Sequence, residues 1–196
     1  MRRFVIPALS LLAAGCAGEP EVYAVVQDRA YSPSEFRHAA QNKDLRTVFE
    51  GSAFRIPRRV VWNGILDAMQ PANWWYSEAF TPRTRFTDRP ATEESPYRVT
   101  VSVNPPAGDE PAGYCRVQDQ PNTMNPDEAT DGVTVRMAFC KDDALLSVSR
   151  GSVDGVRGPA DPRFRKMITQ MTMALFPGRR DRDDGDCGVL RGRPGC

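Results

Sequence analysis

The chain is 196 residues long, 40% hydrophobic and 26% charged, with a formal net charge of +1, which suits one globular domain with short appendages. No apolar run approaches the roughly 20 residues a membrane-spanning helix needs, which excludes a multi-span transporter. Arginine outnumbers lysine 23 to 3, but 25 acidic residues cancel the excess, so no global field favours nucleic acid; a single histidine excludes sites that need several imidazoles.

The amino terminus reads as an export signal. Met1-Arg2-Arg3 is a cationic n-region and Phe4–Ala14 an apolar h-region, too short to span a bilayer and of the right length for secretion. It runs into Leu12-Ala13-Ala14-Gly15-Cys16, small residues followed at once by a cysteine, and this run resembles the lipobox of bacterial lipoproteins. The position three before the cysteine holds Ala13, with Leu12 one earlier. The resemblance implies removal of residues 1–15, acylation of Cys16 and anchoring in the membrane through two or three acyl chains, each buried methylene contributing about 0.8 kcal/mol. Ala17 is not the Asp that retains a lipoprotein in the inner membrane, so the resemblance further implies an outer-membrane, periplasm-facing location. Loss of Arg2 and Arg3 leaves 24 basic and 25 acidic residues, a net charge of −1.

Residues 16–43 are weakly patterned and read as lipid anchor and tether, with a short helix expected over Ser34–Ala40 in which Phe36 packs alone. Leu45–Phe49 is a predicted strand ended by Glu50-Gly51. A helix is predicted from Pro57 to Gln70, where Val61, Ile65, Leu66 and Met69 form one apolar face and Pro71 stops the pattern. Residues 72–96, rich in Thr, Pro and Arg, read as a long surface connection.

Tyr97–Val103 alternates strictly, as a half-buried strand does. Gly113–Gln118 is expected to form a second strand carrying Cys115. Val133–Phe139 alternates again, with Cys140 following on the Thr/Arg/Ala face, and Lys141-Asp142-Asp143 turns into a strand over Leu145–Arg150. Gly151–Gly155 reads as a turn, since its glycines fit neither a nucleophile elbow nor a phosphate loop. The last helix has Asp161 as N-cap and Pro162 in its first turn; Phe164, Met167, Ile168, Met171, Ala174 and Leu175 line one side before Pro177-Gly178. Together these predict an α+β fold over residues 44–176, a two-layer sandwich with an antiparallel sheet and two amphipathic helices on one face, followed by a charged tail over 177–196.

Four cysteines remain beyond Cys16: Cys115, Cys140, Cys187 and Cys196. An even number in an exported chain reads as disulfides, with Cys115–Cys140 and Cys187–Cys196 the favoured of three pairings. The absence of any CxxC argues against a zinc site or a redox-active thiol. His38 lies in a charged segment without a nucleophile motif and reads as a solvated helix residue. Asp181–Asp186 has carboxylates at alternate positions but lacks the Gly and Glu spacing of a calcium loop.

Trp74, Trp75 and Tyr76, with Trp62, are candidate partner-binding aromatics at a helix end, although core or edge packing explains them equally well. A cell-wall hydrolase would need paired carboxylates such as Asp67, Glu78 or Asp154, and nothing in the sequence places two of them in one cleft. The segments Asp44–Val48, Thr84–Thr87, Pro96–Val99, Phe139-Cys140 and Ala174–Pro177 resemble a group of uncharacterised lipoproteins of Gram-negative envelopes. That resemblance implies a shared fold with paired cysteines and brings no catalytic residue. The expectation is therefore a non-enzymatic, lipid-anchored structural or partner-binding module. It would have an envelope protein or glycan as partner, no cofactor, no metal and no nucleic acid; an accessory role in an envelope transport or assembly machine is the narrower alternative.

Overall fold

The structure, a computed structural model, describes residues 18–26, 31–40, 44–70, 85–88, 95–106, 111–116 and 132–176. Its elements in chain order are β1 (Glu21–Val26), α1 (Pro33–Ala40), β2 (Leu45–Gly51), α2 (Arg58–Met69), β3 (Phe86–Thr87), β4 (Tyr97–Val103), a 3-10 turn (Pro111–Gly113), β5 (Gly132–Lys141), β6 (Ala144–Asp154) and α3 (Pro162–Leu175). The six strands form one sheet in the order β1-β6-β5-β4-β2-β3, and the fold is α+β as expected.

Strict alternation translates directly into the centre of that sheet. Val99 faces Phe139, Val101 faces Met137 and Val103 faces Val135 across the β4–β5 ladder, so one pleat surface is apolar over these three pairs, with Tyr97 opposite Lys141 at its end. The intervening Arg98, Thr100 and Ser102 share the opposite surface with Arg136, Ala138 and Cys140. The sheet is mixed rather than wholly antiparallel, because β2 runs parallel to both β4 and β3. The physical cause is α2: a helix lying between β2 and β4 in sequence carries the chain back along the sheet, which a tight hairpin turn cannot do. Within the stretch expected as a plain connection, Phe86 is buried in β3, and Gln70 Nε2 donates to its carbonyl at 3.0 Å.

All three helices enter the same core. Phe164, Met167, Ile168, Met171 and Leu175 of α3 are fully buried beside Val61, Ile65 and Met69 of α2. Thr169 Oγ1 donates to the Ala68 carbonyl at 2.7 Å, and Ser147 Oγ to the Leu175 carbonyl at 2.6 Å, tying α3 to α2 and to the sheet. The amino end of α3 is capped as predicted, with the Arg163 N–H donating to Asp161 Oδ1 at 2.9 Å. Phe36 does not pack alone. It stacks on Phe176 at 4.1 Å and meets Phe139 edge-on at 5.9 Å, while Phe139 and Phe176 make a T-shaped pair at 5.2 Å. Such pairs each add roughly 0.5–1.5 kcal/mol beyond area burial.

Three local expectations are corrected. The segment read as a tether is largely structured: β1 pairs antiparallel with β6 from Glu21 onward, and Phe36, Ala39 and Ala40 of α1 are core residues. β1 is short, and its sequence EVYAVV lacks the strict alternation of apolar and polar residues. The strand expected over Gly113–Gln118 is instead a 3-10 turn, with Cys115 in the turn that follows. Residues 151–154 are strand, not turn. Gly151 is there because α3 lies close over it: a Cβ would stand 2.7 Å from Met171 Sδ and 2.9 Å from Met167 Cγ. Gly51, by contrast, is required by backbone conformation. It ends β2 at φ 74°, where a Cβ would overlap the Val103 carbonyl oxygen.

Candidate functional site

The helices cover one sheet surface, which leaves the other to carry whatever polar chemistry the strands hold. Register decides what gathers there. Arg46 lies opposite Arg98 and Glu50 opposite Ser102 in the β2–β4 ladder. Ser102 lies opposite Arg136, Arg136 opposite Arg150, and Arg150 opposite Tyr23 of the edge strand. This surface thus carries four arginines, two near each end of the β4–β5 strand pair.

A short segment is clamped onto this face. The Cys115–Cys140 disulfide joins the turn after the 3-10 helix to β5, with Cα atoms 5.7 Å apart. Thr100 Oγ1 donates to the Tyr114 carbonyl at 2.8 Å, and Arg98 Nη2 donates to the Cys115 carbonyl. Tyr114, Cys115, Ala138, Cys140 and Val148 make a second small apolar cluster beneath it. The Tyr114 ring lies against two guanidinium groups, with Arg136 Cζ at 4.0 Å and Arg150 Cζ at 5.4 Å from its centroid; the Arg150 guanidinium also donates to the Tyr114 hydroxyl. Contacts of this kind contribute roughly 0.5–2 kcal/mol, more as water is excluded.

Arg136 is the most deeply placed cation among the described residues, 4% exposed. Its guanidinium donates to Glu50 Oε1 at 3.0 Å and to Ser102 Oγ at 2.7 Å, and Ser102 Oγ in turn donates to Glu50. Arg98 is paired with Asp143 at 3.4 Å at the rim. Arg150 and Tyr23 stay exposed, Tyr23 at 60%, and the Tyr23 hydroxyl donates to Glu21 Oε2 at 2.7 Å, which raises the phenol above its ordinary value. A planar guanidinium beside aromatic rings suits recognition of carboxylate, phosphate or sugar-hydroxyl groups. It supplies no nucleophile.

A second polar cluster joins α1 to the opposite surface. Tyr97 OH donates to Glu35 Oε2 at 3.1 Å and Lys141 Nζ to Glu35 Oε1 at 3.0 Å, with Lys141 also 5.4 Å from the Tyr97 ring centroid. The hydrogen bond to Glu35, then that to Tyr97, hold the Lys141 ammonium protonated to higher pH than usual. An ammonium stabilised in this way is a fastening for α1 and a poor base. His38 is exposed, its ring edge-on to Tyr97 at 6.2 Å.

Of the residues singled out from sequence, Cys115 and Cys140 are brought together as a bond. Cys16, Trp74, Trp75, Tyr76, Glu78, Cys187, Cys196 and the Asp181–Asp186 run lie outside the described residues. Trp62 serves packing, stacked on Phe49 at 5.4 Å with 13° between the ring planes. Asp67 is exposed in the last turn of α2, and Asp154 is exposed at the carboxyl end of β6. Among the described residues no three His, Cys, Asp or Glu side chains gather to hold a metal ion, and no helix is long and apolar enough to cross a membrane. The arginine face itself escaped the sequence reading. Its trace was present as Arg98 and Arg136 at polar positions of alternating strands, but which arginines become neighbours depends on strand order.

No family model matches the chain, and no curated protein does. Among solved structures it is similar to the PelC dodecamer from Paraburkholderia phytofirmans, with 11% identity over 82% of this chain and 99% of that one and a TM-score of 0.42. A single-substitution variant of that dodecamer matches at 10% identity over 80% and 96% of the two chains, with a TM-score of 0.40.

Proposed function

We propose that this chain is an exported envelope lipoprotein, anchored in the outer membrane through acyl chains on Cys16, that acts without catalysis as a partner-binding module through the arginine- and tyrosine-bearing face of its sheet. The observation that carries this reading is the face itself. One pleat surface is sealed by three helices, while the other presents Arg98, Arg150 and Tyr23 around a segment pinned by a disulfide. A buried disulfide is characteristic of oxidising compartments, which supports export independently of the amino-terminal signal. The lipobox resemblance of Leu12–Cys16 supports the anchor. The partner is an envelope protein or glycan with acidic or hydroxyl-rich chemistry, matched to guanidinium and phenol groups.

Mass spectrometry of the mature protein tests the anchor: an acylated Cys16 as the first residue is expected, and an unmodified terminus at any other residue refutes it. The binding face is tested by in-membrane crosslinking of the native chain and of Arg150→Ser, whose side chain is exposed. A specific crosslinked partner that Arg150→Ser loses, while the variant remains folded at the assay temperature, is the expected result. Equal capture by both proteins refutes the assignment of this face.

A further inference from the structure

We propose that the end of the domain at which β1 enters is a docking surface for the anionic phospholipid headgroups of the membrane that holds Cys16. This rests on the acylation of Cys16 proposed above. The structure shortens the tether drastically, because Glu19 is held by Lys166 at 2.6 Å and β1 is in the sheet from Glu21. Only Ala17–Pro20 separate Cys16 from that strand. Five extended steps span at most about 18 Å. The headgroup layer occupies roughly 5–8 Å of this. The near end of the domain is therefore confined within about 10 Å of the lipid surface, one Debye length at 0.1 M salt.

Register identifies what lies at that end. Gly51, Val103, Val135, Gly151 and Val22 form one row across five strands. Beyond that row come the β2–α2 connection, the β4 exit and the β6–α3 connection. The first and last are packed together: Phe54 meets Phe164 edge-on at 5.4 Å, and a Cβ on Gly64 of α2 would stand 2.5 Å from Pro159 Cβ.

Among the described residues the charge on this end is mostly basic. Among the described residues its carboxylates are largely occupied, Glu19 with Lys166 and Asp161 with Arg163 at 3.3 Å, while Glu21 accepts from Tyr23; Asp154 remains exposed. Arg55, Arg157 and Arg165 are exposed and form no ion pair among the described residues. The opposite end of the sheet carries exposed Asp44, Asp142 and Asp143 interspersed with exposed Arg37 and Arg85. The tether therefore selects which end meets the lipid, and an anionic surface attracts the arginines that this end presents.

Hydrogen–deuterium exchange on the acylated full-length protein tests this in vesicles of phosphatidylethanolamine with phosphatidylglycerol and in vesicles of phosphatidylcholine alone. Amides of residues 52–60 and 155–166 are expected to exchange at least about fivefold more slowly on the anionic vesicles, the share of a single basic side chain near such a surface. Amides of the Asp142–Asp143 turn are expected to be unaffected. Protection should vanish in 1 M salt and in the Arg55→Glu/Arg157→Glu/Arg165→Glu protein. Equal exchange on both vesicle types, or protection centred on the Asp142–Asp143 turn, overturns the docking surface while leaving the anchor intact. A chain that carries no acyl group overturns both.

Discussion

Removing Glu50 tests whether the polar sheet face is held together as its geometry implies. Arg136 is 4% exposed and Glu50 about a quarter, so Glu50→Ala takes the Glu50 carboxylate away from a nearly buried guanidinium that keeps its contacts with Ser102 and the Tyr114 ring. Breaking a buried ion pair from one side costs about 3–5 kcal/mol. Partial exposure of Glu50 and the surviving contacts of Arg136 reduce this to about 2–3 kcal/mol. With a urea dependence near 2 kcal/mol per molar, the unfolding midpoint should fall by about 1–1.5 M. The double variant Glu50→Ala/Arg136→Met removes the buried charge as well and fills its volume with an apolar stem, so it should be more stable than Glu50→Ala alone. A midpoint shift below about 0.25 M in Glu50→Ala, or a double variant weaker than the single one, would show that burial of Arg136 does not govern this face.

Two further outcomes follow from single contacts. Replacing Cys115 and Cys140 together by serine opens a loop of sequence separation 25, for which the chain-entropy relation gives about 3.5 kcal/mol. Calorimetry should place the melting temperature about 10 °C lower, and a drop under 3 °C would contradict that account. At the start of α3, burial of Asp161 pushes its carboxyl pKa upward, but the backbone N–H and guanidinium of Arg163 outweigh this and hold it below its ordinary value of 3.8. A lowered carboxylate contributes its stability above the unfolded value and loses it as pH falls through the folded one. Asp161→Ala should therefore cost about 1 kcal/mol at neutral pH, with the gap to the native protein closing only below about pH 4. An unchanged gap at pH 2.5 in urea titrations would refute the charge contribution.

Periodicity and punctuation carry the local elements. Strict alternation put β4 at Tyr97–Val103 with the residues on each of its faces, and Asp161-Pro162 marked the start of α3. Both are short-range signals, since a pleat of two and a helix turn of 3.6 impose their pattern on neighbours in sequence. The Cys115–Cys140 pairing was also legible, from an even cysteine count in a chain whose amino terminus reads as an export signal, although the expected hairpin strand at Cys115 is a turn.

What only the tertiary structure decided depends on partners far apart in the chain. β1 looks unpatterned by itself and becomes a strand because β6 offers it an edge. Gly151 reads as a turn residue, yet it lies within β6, and it is glycine there because Met167 and Met171 leave no room for a side chain. The arginine face required strand order, which sets Arg46 beside Arg98 and Arg136 beside Arg150. Hydrophobic pattern specifies which side of a strand is buried, but it does not specify which strand lies next to it. That choice is made by long-range packing, and with it the neighbours of every polar side chain on the open face.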